Sequence, residues 1–97
     1  MTPFNSSSQL VTADAAVGTS GASTRIYSIH IISGGGGAAV VSLRNGTSAS
    51  ATIYVTETGT TSTGKTITFG TYGAVFPAGC FVDVDTNTTS VLVSFSQ

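Results

Sequence analysis

Thr24-Arg25-Ile26-Tyr27-Ser28-Ile29-His30-Ile31-Ile32-Ser33, closed at once by Gly34-Gly35-Gly36-Gly37, is the stretch on which the reading of this sequence turns. Most of its residues are β-branched or aromatic, types that fit a pleated, half-buried surface. Tyr27, Ile29 and Ile31 fall on one face and Ser28 and His30 on the other, which is the period of a strand rather than a helix. The glycines then end it.

Reading outward, the same punctuation repeats. Ala39 to Asn45 sets Val41 and Leu43 against Ser42 and Arg44. Asn45-Gly46 is the strongest hairpin signal in the chain. It leads into Ser50 to Glu57, where Ala51, Ile53 and Val55 alternate with Thr52, Tyr54 and Thr56. Gly59 to Gly64 reads as a flexible loop. Lys65 to Gly70 reads as a strand with Ile67 and Phe69 inward, and Tyr72-Gly73 as a turn. Val75-Phe76-Pro77 is extended, and Pro77, lacking a ladder donor, marks an edge or a bend. Cys80, Val82 and Val84 alternate with Phe81, Asp83 and Asp85. A turn over Asp85 to Thr88 precedes Thr89 to Ser96, with Val91, Val93 and Phe95 inward.

About six or seven short strands with brief loops and no helical period predict an all-β domain. The expected architecture is an antiparallel β-sandwich, jelly-roll-like, or a small barrel. An immunoglobulin-type cysteine pair and core tryptophan are absent, which counts against that wiring. Residues 1–23 are small, polar and aperiodic, and read as an extended N-terminal arm ahead of a domain over residues 24–97. Within the arm, Gln9 to Thr12 could form a short edge strand and Asp14 to Val17 one helical turn at most.

Composition narrows the function classes. Seventeen threonines, fourteen serines and twelve glycines fill much of the 97 residues, whereas only seven residues are charged and the net charge is −1. A typical protein is about a quarter charged. A surface of hydroxyls and backbone, with little charge repulsion, favours association. Three basic residues, Arg25, Arg44 and Lys65, are too few to track phosphates, so no nucleic-acid partner is expected. No apolar run reaches the ~18 residues of a membrane-spanning helix, so no membrane partner is expected either. The first residues lack the basic and apolar regions of a secretory signal. The glycosylation-like triplets at Asn5, Asn45 and Asn87 read as chance in so Thr/Ser-rich a chain.

A search for chemistry finds candidates but no reaction. A phosphate loop needs a lysine and a following helix, and the Gly34 to Gly37 run enters a strand instead. It reads as a hairpin tip or a place of close backbone approach. His30 sits on a polar strand face with no organised nucleophile–acid set. Asp83-Val84-Asp85-Thr86-Asn87 opens like a calcium loop. It lacks glycine at the sixth position (Thr88) and glutamate at the twelfth (Ser94). A turn capped by its own side chains explains the same residues. Cys80, the only cysteine, excludes an intrachain disulfide and reads as a buried thiol. No enzyme, metal or cofactor is predicted.

Four large apolar residues, Ile26, Tyr54, Phe81 and Leu92, fall on the polar side of their strands. If clustered, they would form the kind of patch that marks contact with another chain; the other reading is burial under the arm or the opposite sheet. With Leu10 and Val11 of the arm they are the candidate interface residues.

The stretch Thr24 to Ser33, then Val41-Ser42-Leu43-Arg44-Asn45-Gly46, resembles small Gly/Ser/Thr-rich virion proteins of tailed bacteriophages. Gly64-Lys65-Thr66-Ile67-Thr68-Phe69-Gly70 and Val75-Phe76-Pro77-Ala78-Gly79-Cys80-Phe81-Val82 share the resemblance, which spans roughly residues 24–96. It implies a structural protein on the particle, commonly a head decoration or cement protein. Its partners would be the major capsid protein and copies of itself, as a homotrimer, on the capsid exterior. A tail, baseplate or fibre component is the nearest alternative. A carbohydrate-binding β-sandwich module is the alternative from another class, thinly supported by Tyr27, Tyr54 and Tyr72 without any tryptophan.

Overall fold

The structure, a computed structural model, describes residues 6–34, 36–60 and 64–97. Met1 to Asn5 of the expected arm, Gly35 of the glycine run and residues 61–63 of the expected loop lie outside the described residues. The strands are β1 (Ser7–Val11), β2 (Ala15–Ala16), β3 (Thr24–Ser33), β4 (Val40–Asn45) and β5 (Thr52–Thr58). They continue as β6 (Gly64–Thr68), β7 (Ala74–Phe76), β8 (Cys80–Val84) and β9 (Thr88–Ser96).

They form two antiparallel sheets, one ordered β1-β9-β3-β6 with β7 also on β3, the other β2-β8-β4-β5. This is a sandwich, not a closed barrel. β6 pairs with Ser28 to Ile32 and β7 with Thr24 to Ile26, so the two follow one another along the edge of β3 that β9 leaves free. Counted as one interrupted strand, they complete four antiparallel pairs: β1 with β9, β2 with β8, β3 with β6–β7, and β4 with β5. A single long hairpin rolled up on itself gives that order, which is the wiring of an eight-stranded jelly roll.

The core lies between the sheets and is built by the predicted alternation. Ile29, Ile31, Val41, Leu43, Val82, Val91 and Val93 are all fully buried. Each such side chain stabilises the fold by about 1.5–3 kcal/mol on leaving water. Ile67 and Phe69 pack partly against this cluster, as the strand pattern predicts.

The register shifts at three places: at Thr89, skipped between the pairs Ile32–Ser90 and Ser33–Thr88, and at two tyrosines where the expected faces change. Ile26 pairs with Phe95 and Ser28 with Ser94, so Tyr27 has no partner across β9 and forms a bulge. The extra residue shifts the pleat by one, and a one-residue shift exchanges the faces. Ile26 therefore turns inward and is 0% exposed. It is a core residue, not the interface residue that simple alternation predicts. In the other sheet Leu43 pairs with Val55 and Arg44 with Ile53, leaving Tyr54 unpaired. Ile53, expected inward, is exposed opposite Arg44. The ring of Tyr54 instead packs on that of buried Phe76, with centroids 5.4 Å apart.

The structure puts no boundary at residue 23. β1 forms an edge strand, as the sequence allows, but on the chain's own β9, with Val11 opposite Val91. Val11 is 2% exposed and Val17 0%, both within the core cluster. Val11 is thus a second interface candidate that belongs to the interior. Ala15 and Ala16 pair with Val82 and Phe81, so Asp14 to Val17 is a short bridge rather than a helical turn. Two glutamines fasten the segment. Gln9 accepts from the Gly18 amide at 2.7 Å and donates to the Ala16 carbonyl at 3.0 Å. Gln97 accepts from the Thr19 amide at 2.9 Å and donates to the Val17 carbonyl at 3.1 Å.

Two loop expectations also change. β3 and β4 lie in different sheets, so the glycine run joins layers instead of tipping a hairpin. At Gly34 the close neighbour is a side chain rather than a backbone: a Cβ there would sit 2.2 Å from the Thr89 hydroxyl. β4 and β5 do form a hairpin, but its loop spans residues 46–51. The Gly46 amide bonds the Gly79 carbonyl at 2.9 Å and ties this loop to the start of β8.

Candidate functional site

In an antiparallel sheet, directly opposed residues share a face. Leu10 opposes Leu92, Leu92 opposes His30, and His30 opposes Thr66, giving one row across the outside of the β1-β9-β3-β6 sheet. The row beside it is Ser8, Ser94, Ser28 and Thr68, hydroxyl from end to end. On the other side come Ser90, Ile32 and Gly64. Leu10 is 62% exposed, Leu92 45%, and Ile32 is exposed next to them. None of these three rows carries a carboxylate, a lysine or an arginine. Arg25 enters this face only at its far end, opposite Ser96 and Val75.

His30 borders the apolar group. Its Nδ1 lies 2.7 Å from the Thr66 hydroxyl, and its ring covers Gly64, where a Cβ would approach Nε2 to 2.6 Å. Glycine at 64 is what lets the imidazole lie down on the sheet.

The opposite face, outside the β2-β8-β4-β5 sheet, is different. Arg44 and Asp83 form an ion pair at 3.0 Å there, and Arg44 also donates to the Ala51 carbonyl at 2.7 Å. Ala16, Phe81, Arg44 and Ile53 make one row, with Phe81 partly buried. Of the six candidate interface residues, the structure therefore brings only Leu10 and Leu92 together. Phe81 is on the other face, Tyr54 is at the sandwich margin over Phe76, and Ile26 and Val11 are inside.

The sequence reading missed Ile32 and Tyr72. Ile31 and Ile32 are adjacent, so strand alternation must turn one of them outward; that signal was present. Tyr72 stands 81% exposed in a turn framed by Gly70 and Gly73, both at positive φ. With Arg25, Tyr27 and Thr71 it lines an open cleft of about 300 Å³.

The remaining chemical candidates have structural roles. Asp83 is turned to Arg44. Asp85 accepts from the Thr88 hydroxyl at 2.8 Å and the Asn87 amide at 3.1 Å, closing its own turn. Burial acts to raise its pKa, but these bonds and further backbone ones outweigh it and hold the carboxyl below the ordinary aspartate value. Cys80 is buried, and loss of solvent pushes its thiol up to about 12. Among the described residues, no three His, Cys, Asp or Glu side chains gather as a metal would require. No protein-family model matches the sequence, and no curated protein or solved structure is similar enough to match it.

Proposed function

We propose that this protein is a structural component of a tailed-bacteriophage particle, a decoration or cement protein that binds the outer capsid shell and bridges its subunits. The observation that carries the contact part of this reading is the outer face of the β1-β9-β3-β6 sheet. Three adjacent rows there hold hydroxyls, Leu10, Leu92, Ile32 and His30, and no permanently charged side chain. Covering such a face removes apolar surface at about 25 cal/mol per Å² and strips water from no ion. The particle itself enters through the resemblance of residues 24–96 to virion proteins.

A detached arm could add a strand to a neighbour's sheet, but the N-terminal segment takes another part here. Its strand is already spent on β9, so a neighbour is met through a sheet face instead of a donated strand. Repetition about a symmetry axis, as in a homotrimer, multiplies a weak contact by effective concentration.

Quantitative gel analysis of purified particles tests the assignment. The expected result is a copy number on the scale of the capsid protein, with capsids lacking this chain releasing DNA at lower temperature. A handful of copies confined to the tail would reject it.

A further inference from the structure

We propose that the cleft lined by Arg25, Tyr27, Thr71 and Tyr72 binds a carboxylated sugar ring of the hexuronate type. The site is independent of the virion reading. Ser96, opposite Arg25, lies four residues along β9 from Leu92, roughly 13 Å at strand rise, so both surfaces can be occupied together.

Two irregularities build the cleft. One is the bulge at Tyr27, a device that re-aims side chains beside binding sites. The other is the turn that interrupts the edge strand between β6 and β7. Its Phe69 amide bonds the Tyr27 carbonyl at 3.0 Å, and its Gly73 amide bonds the Gly70 carbonyl at 3.3 Å. Gly73 has φ +71°, and a Cβ there would come within 2.6 Å of the Ile26 carbonyl oxygen. The turn is thereby pressed against the bulge and displays Tyr72 outward.

Arg25 supplies the charge. Of the three cations, Arg44 is paired with Asp83, and Lys65 donates to the Thr58 carbonyl at 3.1 Å. No carboxylate lies within ion-pair distance of Arg25 among the described residues. Its Nη1 holds the Tyr72 carbonyl. The remaining N–H groups of the guanidinium fork suit a carboxylate bound through both oxygens. A single cation fits one carboxylate rather than a polyanion.

The other walls suit a sugar. An exposed aromatic ring offers an apolar face, and the C–H side of a pyranose packs flat on such a face. Thr71 in the lining carries a hydroxyl that both donates and accepts, as a polyol requires, while the Tyr27 hydroxyl is engaged by Ser96 at 2.9 Å. A volume of about 300 Å³ is at the lower end of ligand pockets and fits one ring rather than a long chain.

The test is an amide-resolved NMR titration of the whole protein with methyl β-D-glucuronide, methyl β-D-glucoside and sodium acetate. Glucuronide is expected to shift the amides of Arg25, Thr71, Tyr72 and Gly73 saturably at millimolar concentration or below. Glucoside and acetate should bind at least about tenfold more weakly. Tyr72→Ala, a change at an exposed ring, should leave the rest of the spectrum in place and abolish the shifts, and Arg25→Gln should weaken them by about tenfold or more. Absence of saturable shifts with glucuronide, acetate binding as well as glucuronide, or Tyr72→Ala binding like the parent would each overturn the proposal. None of these results bears on the copy number in the particle.

Discussion

Cys80 illustrates how burial alone sets reactivity. With its pKa near 12, the thiol is protonated at neutral pH, and the thiolate is the nucleophile. Iodoacetamide is therefore expected to leave the native protein unmodified and to alkylate it fully in denaturant; rapid labelling of the native state would contradict the buried placement. Asp85 gives the acid-side counterpart. Its folded pKa is depressed, so the stability it contributes is present above the unfolded value near 3.9 and is lost as pH falls through the folded one. Asp85→Asn is expected to lower the urea midpoint at pH 7 and to narrow that deficit at low pH. An equal deficit at both would show that the turn gains nothing from the charge. These two residues were legible from sequence because their roles are local: a thiol on an inward strand position, and an Asx turn. Tyr72 was not, because a turn residue becomes part of a cleft only through Arg25, 47 positions away.

At the level of elements, β8, with uninterrupted alternation, was readable with its faces correct, as was β9 from Val91 onward, beyond the irregularity at Thr89. In β3 the faces were readable at Ile29 and Ile31 but not at Ile26, and in β5 at Val55 but not at Ile53. A bulge is a property of a strand pair, and no single run announces that Tyr27 or Tyr54 will lose its partner. The N-terminal segment was misread for a related reason, since its order is supplied by residues near 82, 91 and 97. Deleting residues 1–20 removes β1, β2, Val11 and Val17 and leaves β9 as a bare edge. The truncated chain is expected to be unfolded by circular dichroism and rapidly proteolysed, where a true arm would leave a folded domain. The β6–β7 turn permits a paired comparison. Gly70→Ala and Gly73→Ala both place alanine at positive φ, a strain of about 1–3 kcal/mol. Gly70 faces open space, whereas Gly73 faces the Ile26 carbonyl. Denaturant melts are expected to show the larger loss at Gly73, and equal losses would mean the turn can lift off the bulge.

For the whole molecule, what matters is that the two outer faces are unlike: one carries the Arg44–Asp83 pair, the other no permanent charge across three rows. Leu10→Lys combined with Leu92→Thr, which avoids opposing two like charges across the strands, should change the thermal midpoint little, since surface substitutions usually fall within about 0.5 kcal/mol. It is expected to lower the self-associated fraction in sedimentation velocity, and unchanged association would move the contact elsewhere. The rolled hairpin carries a further cost in time. β3 meets β6 and β7 only after the β4–β5 hairpin has intervened, with Ser28 opposite Thr68 and Thr24 opposite Phe76, and its other side is filled from still farther away by β9, with Arg25 opposite Ser96. Sheets stitched from such distant segments fold in milliseconds to seconds rather than microseconds. While the chain emerges from a ribosome, Ile29 and Ile31 wait beside an open seam until the final strand is synthesised. Crowded nascent chains can stick to one another through that seam, so slower, cooler synthesis is expected to raise the yield of native protein even though the finished sandwich is unchanged.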